Sequence, residues 1–205
     1  MTSLQHRQSL RTELRSKRRN VPKSQQILAA EELCQQFIGL GLHLRFSRIG
    51  LYWPVDGEIS PLPLLYQLSA MGTHCFLPQL HPFNKKNVRF ARYTPGDALV
   101  PNRYSIPEPN TAEISPIWSL DLLLIPLVGF DSAGGRLGMG GGYYDRSLAV
   151  STKTHFGPLR IGLAHRCQEV EHVPVDDWDI PMNGILTDNR YYPVASNIHL
   201  SSKAS

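Results

Sequence analysis

The succession of apolar and polar positions divides the chain into alternating helices and strands. Residues 3–19 are good helix formers without glycine or proline, and their spacing predicts a helix with Leu10 and Leu14 beside Arg7, Arg11 and Arg18. Residues 23–39 carry Ile27, Ala30, Cys34, Phe37 and Ile38 at helical spacing and end at Gly39, which predicts a second amphipathic helix. Residues 46–53 read as a strand, and Ser60 caps a third helix that starts at Pro61 and runs to Gly72. Strands are predicted at 73–77 and 87–93. The run 122–128 is apolar without alternation, as expected of a central strand covered on both faces. A helix over 143–150, a strand at 159–164 and a short strand at 185–187 complete an α/β layered sheet. At 205 residues the chain suits one domain, residues 1–195, with a disordered tail at 196–205. Apart from that tail no stretch has a disorder-like composition.

The stretch with the least freedom of interpretation follows the central strand. Residues 134–146 read Gly-Gly-Arg-Leu-Gly-Met-Gly-Gly-Gly-Tyr-Tyr-Asp-Arg, and six of these thirteen residues are glycine. Glycine loses more conformational freedom on folding than any other residue, so such a run needs a reason. A backbone that turns through positive φ and brings its N–H groups against a ligand supplies one. The loop ends where the next helix begins, and free amides at a helix N-terminus make an anion site suited to phosphate. A tight turn or linker is the other reading, and Arg136, Arg146 and the Tyr-Tyr-Asp run argue against it. The stretch is neither a Walker loop nor a G-x-G-x-x-G fingerprint.

Charge changes the picture only at the N-terminus. Residues 1–20 hold six of the 21 Lys+Arg and a single acid, Glu13, whereas the remainder carries 15 basic and 16 acidic groups. The body is therefore near neutral and offers no general nucleic-acid surface. The first helix can be read as a solvated or RNA-binding basic face, or as one that lends Arg7 and Arg11 to a phosphate. Three scattered cysteines and eight dispersed histidines give no metal or redox spacing and suit reduced thiols in a cytoplasmic protein. No run is long enough to span a bilayer, and the basic N-terminus lacks the apolar core of a signal peptide.

Ligands of α/β sheets bind at the carboxyl ends of strands. Residues 52–58 leave a predicted strand with two aromatics and two carboxylates; Trp53 could stack on a flat heterocycle and Glu58 accept from its ring N–H groups. Core packing for Trp53 and a turn role for Glu58 are the alternatives. Asp145, in the first turn after the glycine loop, could serve the Mg²⁺ of a nucleotide or simply partner the helix dipole, and Asp176, Asp177 and Asp179 cluster later in the chain. No nucleophile-base pair is legible, so positioning and charge neutralisation fit better than a covalent intermediate. Between residues 95 and 116, five prolines punctuate an irregular connector of a length that is usually either functional or poorly ordered.

The run 136–145, supported by 52–58, the basic first helix, Ile106-Pro-Glu-Pro109 and Val173-Pro174 with Asp179, resembles the 5-formyltetrahydrofolate cyclo-ligase (methenyltetrahydrofolate synthetase) family in its bacterial branch, over roughly residues 4–190. The resemblance implies a three-layer α/β/α sandwich with a mostly parallel, mixed central sheet. It implies ATP- and Mg²⁺-dependent closure of 5-formyltetrahydrofolate to 5,10-methenyltetrahydrofolate, with release of ADP and phosphate. In that reading Arg7, Arg11, Arg136, Leu137, Gly138, Met139, Gly140, Gly141, Gly142, Tyr143 and Tyr144 hold ATP. Trp53, Glu58 and Met139 through Tyr143 contact the folate, Asp145 and Asp179 bind Mg²⁺, and Arg136, Tyr143 and Tyr144 act in catalysis. A basic residue that some members carry at the position of Gly141 or Met139 is absent, which shifts phosphate neutralisation onto the arginines. The expected partners are small molecules, with no nucleic acid or membrane, for a cytoplasmic monomer. A paralogue acting on another pterin- or thiamine-like substrate and an RNA-binding protein are the competing readings.

Overall fold

The computed structural model of the chain describes residues 3–81, 83, 87–154, 157–176 and 179–194. The expected tail at 196–205 lies outside the described residues. Two helices, α1 (Ser3–Arg19) and α2 (Lys23–Gly39), precede strand β1 (Arg48–Gly50), helix α3 (Leu62–Ala70), and strands β2 (His74–Leu80) and β3 (Val88–Arg92). Short strands β4 (Leu99–Pro101), β5 (Pro107–Pro109) and β6 (Ile114–Ser115) follow, then β7 (Leu122–Pro126), β8 (Gly129–Phe130) and β9 (Arg136–Leu137). Helix α4 (Tyr143–Thr154) leads to β10 (Leu159–Ala164), β11 (Gly184–Thr187) and β12 (Tyr191–Pro193).

Eight strands form one sheet in the order β12-β11-β10-β7-β1-β2-β3-β6. From β11 to β2 the neighbours are parallel, and β12, β3 and β6 join antiparallel at the flanks. The sheet is thus mixed and mostly parallel. Its centre explains the unbroken apolar run of β7: Leu122 and Leu124 point into one core, while Leu123 and Ile125 point into the other. The first core takes Leu33 and Phe37 of α2 and Leu64 and Leu68 of α3; the second takes Leu148 of α4. Helix α1 covers neither face. Its Leu14 packs on Val128, Leu137 and Val173, beyond the carboxyl end of β7, which sets the basic helix where ligands of such sheets bind.

Several boundaries differ from expectation for local reasons. Strand β1 is shorter than 46–53 because Leu51 donates the last ladder bond, to Phe76 at 2.8 Å, before Pro54 and the left-handed pair Asp56 (φ 56°) and Gly57 (φ 75°) turn the chain. Pro61 flanks α3 rather than opening it, and Ser60 Oγ accepts from the Leu62 amide at 3.3 Å. The proline-rich connector contains a hairpin, β4 with β5. Buried Glu108 anchors it by accepting from the Leu80 amide at 3.0 Å and from Asn102 Nδ2 at 2.7 Å. Strand β12 was not expected. Among the described residues no helix is long and apolar enough to cross a membrane.

Candidate functional site

The loop leaving β1 is held by α1 through charge. Asp56 takes Arg15 Nε at 2.9 Å and Arg18 Nη2 at 2.7 Å on Oδ2, and pairs with Arg19 through Oδ1. Burial would raise the Asp56 pKa, but these three arginine hydrogen bonds outweigh it and hold the carboxyl below its usual range. Two residues on, Glu58 is buried with its Oε2 accepting from the Val55 amide at 3.1 Å and its Oε1 3.7 Å from Arg18 Nη2. Burial wins there: the Glu58 pKa rises to about 7 against the opposing pull of Arg18. The phenols of Tyr52 and Tyr144 also titrate high, through burial and then through the nearby Glu58. Trp53 is half-buried, edge-on to Tyr93 with ring centroids 6.5 Å apart, and packs on the first core. It therefore serves the core while part of its surface stays exposed.

Gly57 has φ 75°, and a Cβ there would lie 3.1 Å from Arg18 O and from Arg19 Cα, backbone atoms of α1. Gly57→Ala should cost about 2 kcal/mol, since a side chain in the left-handed region is strained even without the contact. Thermal unfolding of the variant checks this, and an unchanged melting temperature would contradict the close approach.

The glycine loop rises from the β8–β9 hairpin. Buried Asp131 shapes the turn: Oδ1 accepts from the amides of Ala133 (3.0 Å) and Gly135 (2.8 Å), and Oδ2 from Val173 (2.8 Å). Gly140 and Gly142 have φ 90° and 62°, which suits glycine alone without strain. Among the described residues, the amides of 138–142 donate to no protein group, so five consecutive N–H groups remain for a ligand ahead of the N-terminus of α4. Helix α1 faces this cradle. Arg11 donates from Nε to Gly138 O at 2.9 Å, and its guanidinium carbon would stand 3.6 Å from a Cβ at Gly140. Arg146 donates back to Gly141 O. The Tyr143 hydroxyl meets Tyr104 at 2.8 Å and accepts from Arg103 Nη2 at 2.9 Å, and these bonds lower its pKa. The hairpin of the proline-rich connector therefore reaches the glycine loop.

The remaining candidates are tied in arginine–carboxylate pairs. Arg136 is buried, donates from Nε to Ile180 O at 2.9 Å and pairs with Asp145. Arg7 is buried as well, pairing with Asp176 and, at 2.9 Å, with Asp179. The Asp145 carboxylate also lies 3.5 Å from the amide of Ile180, next to Asp179, so the two expected metal carboxylates share one neighbourhood. Asp177 lies outside the described residues. No group of three or more metal-type ligands occurs among the described residues. Two carboxylates offer hard oxygens of the kind Mg²⁺ takes when phosphates and waters complete its shell, so the residues present fit that ion only alongside a nucleotide.

Sequence reasoning gave no role to Arg15, Arg19, Asp131 and Gln168; it placed Arg18 only on the basic face and Asp56 only among the carboxylates of the 52–58 loop. Gln168 donates from Nε2 to the carbonyls of Leu127 (2.6 Å) and Val128 (2.9 Å), locking the end of β7. The clue for the arginines was the local excess of charge; their partners are distant in sequence. The basic helix spends most of that charge inward, on Asp56, Asp176 and Asp179, which leaves little for the RNA-binding reading.

A family model described as the 5-formyltetrahydrofolate cyclo-ligase family matches residues 3–188. The 5-formyltetrahydrofolate cyclo-ligase of Haemophilus influenzae is 41% identical over 184 residues, covering 89% of this chain and 97% of the relative. That of Escherichia coli is 36% identical over 181 residues, covering 87% and 98%. The solution structure of Aquifex aeolicus 5,10-methenyltetrahydrofolate synthetase superposes with a TM-score of 0.79 at 26% identity, over 97% of this chain and 99% of that one.

Proposed function

The chain belongs to the 5-formyltetrahydrofolate cyclo-ligase family, and we propose from its site that it closes 5-formyltetrahydrofolate to 5,10-methenyltetrahydrofolate while ATP becomes ADP and phosphate. The observation that carries this reading is the cradle of amides at 138–142, flanked by Arg11 and Arg136, with the Glu58 loop bound to the same helix. In the reaction the formyl oxygen attacks the γ-phosphorus, and the second folate nitrogen then closes the ring as phosphate leaves. Both steps develop charge on phosphate oxygens, which preorganised N–H groups and guanidiniums stabilise. The residues of 137–142 and Arg11 hold the polyphosphate, and Arg7 and Arg136 turn from their aspartates toward it. Tyr143 and Tyr144 line the reacting centre, with Met139 and the glycines against the folate. Ionised Glu58 accepts from the pterin N–H groups beside Trp53. Asp145 and Asp179 hold Mg²⁺, which supplies charge neutralisation for the phosphates. The enzyme is in this reading a one-domain cytoplasmic monomer with small-molecule partners only.

The test is direct. Purified protein with Mg-ATP and 5-formyltetrahydrofolate should build the near-ultraviolet absorbance of the methenyl product and release phosphate only when both substrates are present. No absorbance change at saturating substrates ends the proposal.

The arginine pairs carry a second expectation. Asp145 and Asp179 are engaged until phosphates draw Arg136 and Arg7 away, so divalent metal should bind the free protein weakly and at least about tenfold more tightly once a nucleotide is present, a coupling of roughly 1.4 kcal/mol or more. Mn²⁺ electron paramagnetic resonance with and without a nonhydrolysable ATP analogue measures this. Tight Mn²⁺ binding to the protein alone would contradict it.

A further inference from the structure

Arg18 has no exposed side-chain surface, yet no expectation from the sequence gave it a role beyond the basic face. Its guanidinium ties α1 to three other segments. Nε donates to Asp56 O at 2.9 Å, Nη1 to Leu127 O at 3.1 Å, and Nη2 to Asp56 Oδ2 at 2.7 Å. The same Nη2 lies 3.6 Å from Met139 Sδ in the glycine loop and 3.7 Å from Glu58 Oε1. Two helical turns earlier, Arg11 holds Gly138 O. One helix thus grips both loops of the site.

Charge balance alone does not account for a fully buried guanidinium. Asp56 already has Arg15 and Arg19, and burying a further cation is costly enough that an apolar residue would often be at least as stabilising. What an apolar residue cannot supply is the rigid fork of donors. We infer that Arg18 is a positioning residue, fixing the Glu58 carboxylate and its loop against the glycine loop so that the folate-facing and phosphate-facing halves of the site stay in register. This rests on the reading of Glu58 as a folate contact. The other charged and titratable groups facing Glu58 are Arg15 on α1, Asp56 on its own loop, Tyr52 beyond β1 and Tyr144 on α4. Of the opposing influences, Arg18 draws Glu58 toward ionisation most strongly and Asp56 pushes it back.

The experiment follows the Glu58 carboxyl carbon by ¹³C NMR across pH in the ligand-free protein, with the resonance assigned by its loss in Glu58→Gln. Arg18→Met should move the Glu58 midpoint up by about one pH unit or more, Arg18→Lys should move it less, and Asp56→Asn should move it down. A residue that only supports the fold predicts no such opposed shifts. Parallel kinetics should show a KM for 5-formyltetrahydrofolate raised about fivefold or more in Arg18→Met at pH 7 and largely recovered at pH 8.5, where Glu58 ionises again. If Arg18→Met does not fold, Arg18→Lys and Asp56→Asn still decide. An unmoved Glu58 midpoint in the Arg18 and Asp56 variants overturns the inference. Midpoints that move as stated while the folate KM stays flat support the Arg18–Glu58 linkage and overturn instead the assignment of Glu58 to the folate.

Discussion

Replacing Glu58 with glutamine is expected to raise the melting temperature above pH 7 while lowering kcat/KM for 5-formyltetrahydrofolate about 10- to 100-fold. The stability gain follows from the raised pKa. Burial lifts Glu58 from 4.5 to about 7, so between those values the folded chain keeps a proton that the unfolded chain has released. Stability contributed by the protonated carboxyl is therefore complete below pH 4.5 and lost as the pH rises to about 7, an effect on the order of 3 kcal/mol. Glutamine carries no such penalty and keeps an oxygen for the Val55 amide. The functional loss follows from the same change, because a neutral amide accepts less strongly from pterin N–H groups than a carboxylate does. Thermal unfolding at pH 4.5 and 8 with kinetics at pH 8 measures both halves. Equal melting shifts at the two pH values would contradict the buried ionisation.

Arg136→Ala should be the most damaging single change on the phosphate side. Truncation leaves Asp145 without its cation and Ile180 O without its donor inside the second core's edge. Breaking a buried pair this way costs about 3 kcal/mol at the lower end of the known range, or roughly 6–12 °C in melting temperature for a chain of this size. Asp145 is partly exposed, which is why the lower figure applies. The KM for ATP should rise far more than that for the formylfolate. Adding Asp145→Asn should restore much of the stability without restoring turnover, since the orphaned charge is gone but the phosphate has still lost its guanidinium. Equal loss of both apparent affinities would contradict the division of the site.

The arrangement explains how a near-neutral body accommodates a strongly basic first helix. Arg7, Arg15, Arg18 and Arg19 find carboxylates in loops that follow β1 and β10, and each pair crosses between segments far apart in the chain. Helix α1 therefore acts as a strut across the carboxyl edge of the sheet. The glycine loop, the Glu58 loop and the segment around Asp179 all take their positions from it.

Much of this was legible in the residues. Helices α1 and α2 have their expected bounds because glycine or proline punctuation coincides with their ends, and the unalternating β7 announced a sheet covered on both faces. The glycine loop declared itself by composition. What stayed hidden depends on contacts between distant segments. Arg7 and Arg136 were legible as basic groups near an anion site, but not their pairing with Asp176, Asp179 and Asp145, because ion pairs leave no periodic trace. Strand β12 escaped because an edge strand of three residues has too little alternation to register. The fork of Arg18 could not be read either, since its partners at Asp56, Glu58, Leu127 and Met139 all lie far from it in the chain.

The most direct test of the central claim watches the cradle itself. In a ¹⁵N-labelled sample, adding a nonhydrolysable Mg-ATP analogue should shift the amide resonances of Gly138, Gly140, Gly141 and Gly142 more than those of any other glycines. Adding inorganic phosphate should move the same set to a smaller extent. Shifts confined to other glycines, with this set unmoved at saturating nucleotide, would contradict a main-chain grip on the phosphates.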